Sequence, residues 1–534
     1  MSLETSAIVA LAFGLGIVGL ISLITLFVEM NHFQNTTKEG LFYVKKWCLI
    51  AFILLVNAGG CVLVYYTQNL QVILAIIIVL KSKDILMAFM FAFNMIYRAF
   101  TRSSALPSLE ISDEIEKVVA FVPTYDESQE QIAKTVDSIL NNKLGPHYVL
   151  TIVVSDKNNN YDNLFTSVES VKTYTYQSWK AHDVNCTISL GIRNNKHLVV
   201  ITKHENIGKK DSIILLNDLF NAPRSNMSSD NKDLRETLRK EVSSIFGMSN
   251  FDYIFCTDGD TVVDEHGIAC LVDTIKSRNA MASCGIVNVD KSSGNFFWNN
   301  IQNFQYLYGQ YVRRTNEDIF GQVLCLPGCI SMIKIDNCFS DSLKLYSLLP
   351  NETNLLETSV QYMGTDRRFT NSLVYTSNPS IVQDTRAHAY TKPPQSFMSF
   401  FSQRKRWTHN MFFNSILNIV GKNVNLVSRL FNLIDVTRMC LIYFRLFNTL
   451  YFIYLLATYY KPQHVLNLVP YIVILTYPIF CFFIYALFDS HLRQQYIYLA
   501  LFVIINKIFT MFSTVITFTL MLMNIGNSNW KLSY

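Results

Sequence analysis

Long apolar segments gather at both ends of the chain and leave a polar middle, an arrangement that a single water-soluble core cannot accommodate. Residues 7–28 and 48–66 each approach the roughly 20 apolar residues that cross a bilayer core. Residues 436–459, 465–488 and 496–523 read as three more spans. Residues 71–100 are interrupted by Lys81, Lys83 and Asp84, and read either as a third N-terminal span or as a helix lying in the interface. Only 16% of the 534 residues are charged, against about a quarter in a soluble protein. This composition excludes a disordered, fibrous or disulfide-rich secreted chain. The net charge of +5 includes no long basic block, so no nucleic-acid partner is expected. The first 30 residues lack a basic leader and a small-residue cleavage site, which predicts a retained anchor.

The middle, residues 107–394, is polar enough to fold in water. Residues 118–122, 150–154, 198–202 and 253–256 read as buried parallel strands. Residues 129–140 and 212–220 read as helices after the first and third strands, giving an α/β domain. Residues 221–233, rich in Ser and Asn, read as a polar loop. Cys186, Cys256, Cys270, Cys284, Cys325, Cys329 and Cys338 lie in this domain without paired CxxC spacing, as expected of free thiols in a reducing compartment. Lys38, Lys45 and Lys46 precede the span at 48–66, whereas residues 67–71 are uncharged. The positive-inside rule then predicts three N-terminal spans and a cytosolic α/β domain, with the sequons at Asn185, Asn226 and Asn351 unused. The expected organisation is N-terminal membrane helices (1–105), the α/β domain (106–394), interfacial helices (395–430) and three C-terminal spans (431–534).

Four short segments carry potential chemistry. Asp258-Gly259-Asp260 follows the last strand, and ligands of open α/β sheets bind beyond the carboxyl ends of strands. Two carboxylates there suit one Mg²⁺ or Mn²⁺ holding a diphosphate, although Asp-Gly-Asp is also an ordinary turn. Val122-Pro123-Thr124-Tyr125-Asp126-Glu127 joins a strand to a helix; it can receive a nucleotide or simply cap the helix. Asp156 ends the second strand, as a hydrogen-bond acceptor for a base or as a turn residue. Gly208-Lys209-Lys210-Asp211-Ser212 puts cations at a helix start, where the dipole disfavours them unless an anion is near. Gln403-Arg404-Lys405-Arg406-Trp407 lies in an aromatic stretch; it suits an interfacial helix with snorkelling cations or a basic cluster meeting a diphosphate while Trp407 packs on a sugar.

The order of these segments resembles the processive family 2 glycosyltransferases, the membrane synthases of chitin, hyaluronan and cellulose, whose catalytic domain is of GT-A type. Gln302-Asn303-Phe304-Gln305-Tyr306, Cys325-Leu326-Pro327-Gly328-Cys329 and Gly364-Thr365-Asp366-Arg367-Arg368 are most similar to the chitin synthases. The resemblance spans residues 118–407 and implies a Rossmann-like GT-A domain flanked by transmembrane and interfacial amphipathic helices. It implies Asp366 as general base and Asp260 as the main metal ligand, with Asp258 beside the metal and the donor. Thr124, Glu127, Asp156 and Lys210 would line a uridine pocket. Gln403, Arg404, Arg406 and Trp407 would hold the diphosphate and the acceptor end. Gln305, Leu326, Gly328 and Cys329 would flank the acceptor near a channel mouth.

The expected reaction is inverting transfer of GlcNAc from UDP-GlcNAc onto a growing β-1,4 chitin chain, with Mg²⁺ or Mn²⁺. The C-terminal spans would pass the polymer out, with Tyr443, Phe444, Phe447, Tyr451 and Phe452 either lining that route or packing against lipid. The bilayer and the growing polysaccharide are the expected partners, a homo-oligomer is left open, and a plasma membrane location is expected. Thr365 and Gln305 replace family glutamates, and Lys405 replaces an Arg. The rivals are a hyaluronan or other β-glycan synthase, disfavoured by the Leu-Pro-Gly-Cys loop, and a catalytically silent homologue acting as a partner.

Overall fold

The computed structural model describes residues 38–100, 114–145, 147–156, 161–248, 250–292, 294–363, 365–377, 380–459 and 462–526. The expected span at 7–28 lies outside the described residues, as do Pro107 and Gly364.

The chain begins with helices α1 (Lys38–Thr67), α2 (Leu70–Leu80) and α3 (Ser82–Phe100). The α/β domain then runs β1 (Lys117–Thr124), α4 (Gln129–Leu140), β2 (Tyr148–Ser155), β3 (Ser167–Gln177), β4 (Asp183–Arg193), β5 (Lys196–Lys203), α5 (Lys209–Phe220), α6 (Ser229–Phe246) and β6 (Tyr253–Cys256). It continues through β7 (Thr261–Val263), α7 (Gly267–Ser277), β8 (Ala282–Val289) and α8 (Phe296–Tyr308). A π-helical turn, Gly309–Arg314, leads into α9 (Thr315–Ile319), β9 (Ser331–Lys334), α10 (Asn337–Tyr346), α11 (Leu355–Met363), α12 (Asp366–Ser377) and β10 (Ile381–Thr391). Helices α13 (Phe397–Val420), α14 (Leu426–Cys440), α15 (Ile442–Tyr459), α16 (Pro462–Phe488), α17 (Ser490–Gln494) and α18 (Tyr496–Met523) complete it.

Ten strands form one sheet in the order β3-β4-β5-β2-β1-β6-β9-β8-β10-β7. Its centre, β5-β2-β1-β6, is parallel throughout, and these are the four strands read from the sequence. They are near-continuous apolar runs because both faces are covered. Phe121, Ile152, Ile201 and Ile254 face one core with Leu216 of α5 and Leu238 of α6. Val122, Val153, Val200 and Phe255 face the other with Val136 of α4 and Leu271 of α7.

Three expectations need correction. Residues 229–233 are not loop: Ser228 caps α6 by accepting a hydrogen bond from the Asn231 backbone. The helix buries a stripe of Leu234, Leu238, Val242 and Phe246, and the polar residues around its start hide that spacing of four. Residues 436–459 are not one straight helix, because α14 and α15 meet at a 70° bend. The aromatics there pack helix on helix. The Tyr443 hydroxyl is 2.9 Å from Thr519 Oγ1, the Tyr451 hydroxyl donates to the Tyr65 carbonyl, and Phe444 rests on Gly60, where an added Cβ would lie 2.9 Å from the ring. Residues 71–100 form two helices broken at Lys81. Three described helical segments, Gly40–Thr67, Asn467–Phe488 and Tyr496–Met523, are long and apolar enough to cross a membrane.

One buried ion cluster locks the strand ends to α5. Lys203, fully buried at the end of β5, pairs with Asp156 after β2 and with Asp211 in the first turn of α5. Asp211 also accepts the Tyr176 hydroxyl (2.6 Å) and the Trp179 amide (3.0 Å). Removing one member of a buried ion cluster leaves uncompensated charge. Lys203→Met should therefore cost about 3–5 kcal/mol, readable as a lowered denaturation midpoint of the purified protein.

Candidate active site

The site forms where β1, β2, β5 and β6 end together, the position at which open parallel sheets receive ligands. After β6 the chain turns through Asp258-Gly259-Asp260. A Cβ at Gly259 would lie 2.9 Å from Thr124 Cγ2 and 3.2 Å from the Pro123 carbonyl, so only glycine lets this turn rest on the β1–α4 junction. Glu127, whose carboxylate accepts the Tyr125 amide at 2.7 Å, borders the same point. The hydroxyls of Thr124 and Thr257 are buried there without a hydrogen-bond partner among the described residues.

Gly208, at φ 100°, bends the chain into α5. Its successor Lys209 reaches across the sheet ends to Asp258, 2.5 Å away, and lies 3.9 Å from Asp366. The other wall comes from β9, which runs antiparallel to β6 with Ser331 opposite Cys256. That register carries the preceding loop, 326–329, directly beside Asp258. The Cys329 thiol donates to Asp258 Oδ2 at 3.1 Å. A Cβ on Gly328 would meet Lys209 Nζ at 2.7 Å and both Asp258 and Asp366 at 3.3 Å. The Leu326 amide donates to Thr370 Oγ1 at 2.9 Å, and that hydroxyl donates to the Asp366 carbonyl at 2.8 Å. The loop is thereby tied to the first turn of α12, which carries Asp366.

Charge is balanced unevenly across the two carboxylates. Burial works against ionisation of Asp258, but Lys209 outweighs it and holds the carboxyl below its ordinary range. Lys209 acts on Asp260 more weakly, and burial, then Asp258 and Glu127, push it up to about 6. Burial also opposes the charge on Lys209, yet Asp258 and Asp366 keep its pKa well above the ordinary value. Burial and Asp258 raise the Cys329 thiol, so it stays protonated as a donor. Among the described residues no three His, Cys, Asp or Glu side chains are arranged to hold a metal by themselves. Asp258 and Asp260 fit a divalent cation as two carboxylates whose mutual repulsion it would relieve, completed by a ligand's own oxygens.

The third side is built by α8 and α13. The Arg404 guanidinium stacks over Trp407 (4.3 Å), Phe400 (5.0 Å) and Tyr306 (5.6 Å). Its Nε and Nη2 are buried and have no hydrogen-bond partner among the described residues, and the same holds for Gln403 Oε1. Buried, unpaired guanidinium donors are costly unless an anion meets them. Trp407 is 44% exposed, its ring 6.0 Å from that of Tyr306. Arg406 shares the helix.

Two expected site residues turn away from these groups, and two residues were missed. Lys210 turns away: its ammonium donates to the carbonyl and side-chain oxygen of Gln361, both at 2.9 Å, and sits 4.0 Å from the Trp179 ring. Burial, reinforced by Arg368, depresses its pKa strongly. Lys209, not singled out from the sequence, is the lysine on the carboxylates. Successive helical residues diverge by about 100°, so a helix start with two lysines sends only one of them into the site. Likewise Gln305 donates to Asn506 of α18 at 3.0 Å, whereas its neighbour Tyr306, unnoticed in the sequence, faces Arg404 and Trp407. Asp156 is buried on Lys203 and on Ser212, whose hydroxyl donates to it at 3.2 Å.

Two measurements follow from this charge pattern. Asp260 holds its proton more readily in the fold than in the unfolded chain, so its contribution to stability is full below about pH 4 and is lost as pH rises through about 6. With EDTA, Asp260→Asn should therefore gain up to about 3 kcal/mol on wild type between pH 4 and pH 8, read by denaturant titration. Separately, Lys209→Met should lower activity by about tenfold or more, while Lys210→Met should instead lower thermal stability.

The chitin synthase family profile matches residues 157–521 of the chain. Chitin synthase 8 of Gibberella zeae is 26% identical over 427 residues, 74% of this chain and 64% of that protein. Chitin synthase 8 of Verticillium dahliae is 25% identical over 376 residues, 61% of each. The chain thus spans less than two thirds of the length of these curated relatives. Among solved structures, a mannosyltransferase from Pyrobaculum calidifontis in complex with GDP-Man and Mn2+ is 11% identical, with a TM-score of 0.40, covering 82% of this chain and 99% of that one. With the family profile matched over more than half of its length, this membrane-helix-flanked α/β protein belongs to the chitin synthase family.

Proposed function

We propose that the protein is a processive inverting glycosyltransferase that adds GlcNAc from UDP-GlcNAc to a β-1,4-linked chitin chain and passes the polymer across the membrane. The observation that carries this reading is the convergence of Asp258, Asp366, Lys209 and Gly328 within a few ångströms, beside unpaired guanidinium donors on Arg404. The domain lies on the cytosolic side of a multi-pass protein, most simply in the plasma membrane, where its donor is available and its product leaves.

In this reading Asp366 takes the proton of the acceptor 4-hydroxyl as its oxygen attacks the anomeric carbon and the bond to UDP breaks. Displacement from the opposite face inverts an α-linked donor to a β-linked product. Arg404 and Lys209 meet the charge that develops on the departing diphosphate, and fixed cations are most effective in a site with little water. A divalent cation held by Asp258 and Asp260 would add electrophilic stabilisation of that diphosphate. Trp407 and Tyr306 offer ring faces to the acceptor sugars. Gly328 keeps the loop low enough for Lys209 to reach both carboxylates, and the Cys329 thiol fixes one Asp258 oxygen.

The rival reading, a silent homologue, draws support from Gln305, whose amide is committed to Asn506 and Thr510 and offers the acceptor side no carboxylate. UDP release by the purified protein with Mg²⁺ or Mn²⁺, from UDP-GlcNAc, UDP-glucose and UDP-glucuronate, separates the readings. Turnover of UDP-GlcNAc alone to a chitinase-sensitive polymer is expected. Turnover with no donor by folded protein favours the silent homologue, and turnover of UDP-glucuronate favours hyaluronan. Asp366→Asn should reduce polymerisation by about 10²–10⁴-fold and leave UDP binding near wild type; unchanged activity removes Asp366 as the base.

A further inference from the structure

Away from the proposed active site, a group of charges lies where α2 breaks into α3 and α14 bends into α15. Asp84 accepts from Arg313 of the π-helical turn and from Arg438 of α14, each at 3.1 Å. Asp435 pairs with Lys83. These two carboxylates are already matched by three cations. Three more stand close enough to act on the same charges: Lys81, Arg445 and Lys507. None of these three has a carboxylate within ion-pair distance among the described residues. Among the described residues Arg445 reaches the Arg438 carbonyl, at 3.1 Å, and Lys507 the face of Tyr308, at 5.4 Å.

Six cations around two carboxylates repel one another, and between apolar helices water screens that repulsion weakly. An anion seated among them would relieve that repulsion. Neither Lys507 nor the Arg313 side chain, 47% exposed, is covered by the rest of the described chain. Guanidinium forks joined by mobile ammonium groups suit phosphate oxygens better than a single carboxylate.

We propose that this junction is a binding site for a phosphate-class anion, supplied by an anionic lipid headgroup or by free diphosphate. The site is separate from the carboxylates of the catalytic centre, and the inference does not depend on the reaction assigned above.

The full chain in phosphate-free maltoside micelles with EDTA tests this. Thermal unfolding is followed while titrating dioleoylphosphatidylglycerol, inorganic pyrophosphate, or dioleoylglycerol as a lipid without phosphate. EDTA silences metal-dependent diphosphate binding at Asp260. The expected result is a saturable rise in apparent Tm with the phospholipid, the pyrophosphate or both, and none with dioleoylglycerol. In Lys81→Gln/Lys507→Gln the half-saturation point should move up by about tenfold or more, whereas Lys507→Arg should keep the wild-type response. Should the double variant fail to fold, Lys507→Gln alone carries the test, because that side chain is exposed. A response to phosphatidylglycerol alone identifies a headgroup, and a response to pyrophosphate alone identifies a free diphosphate. No response in wild type, or a response unchanged by loss of these lysines, overturns the site.

Discussion

The fully buried ammonium of Lys203, held between Asp156 and Asp211, is the interaction on which the geometry of the candidate site rests. Its two partners come from different elements, the end of β2 and the first turn of α5, while the lysine itself ends β5. A charge this deep is tolerable only when its partners stay in place, so the triad fixes where α5 starts and how it is rotated. That rotation decides which of two consecutive lysines enters the site. Lys209 reaches Asp258, and Lys210 enters the pocket of Trp179 and Tyr346. The triad does not itself contact Asp258 or Asp366, yet the cation beside those carboxylates depends on it.

Much of the domain was legible in the sequence, for physical reasons that also explain the gaps. The four central strands are buried on both faces and are therefore written as unbroken apolar runs. β3 is largely exposed, carries Glu169 and Lys172, and offers no comparable run; β4 alternates buried and exposed positions. Both were invisible as strands. The site carboxylates Asp258 and Asp260 stood out because they follow a strand, and Asp366 only through the resemblance of its segment to the chitin synthases. Lys209 and Tyr306 did not, because choosing between adjacent residues on a helix requires its rotation, which only tertiary packing supplies.

The same distinction applies where the domain meets the apolar helices. α18 has the length and composition of a span, and it also runs along the domain. Trp298 meets Phe509 edge-on, Gln305 bonds Asn506, and Phe412 and Phe518 pack together further along. Aromatic richness at the C-terminal end therefore serves to join two parts of the molecule. An apolar run in the sequence reports that a surface is removed from water, whether by lipid or by protein.

The register between β6 and β9 has a consequence for how such a chain tolerates insertions and deletions. Ser331 lies opposite Cys256, so the sheet sets the length of chain available between β9 and the loop that touches Asp258. A residue gained or lost within β9 would exchange the faces of its side chains and lift Gly328 and Cys329 off the carboxylates together. The connection between α10 and α11 joins no ladder among the described residues and is held by side-chain bonds from Lys45 and Arg224. Divergence within this chain is thus channelled toward connections that no ladder measures, while a four-residue strand with no chemistry of its own is as restricted in length as the acidic turn it faces.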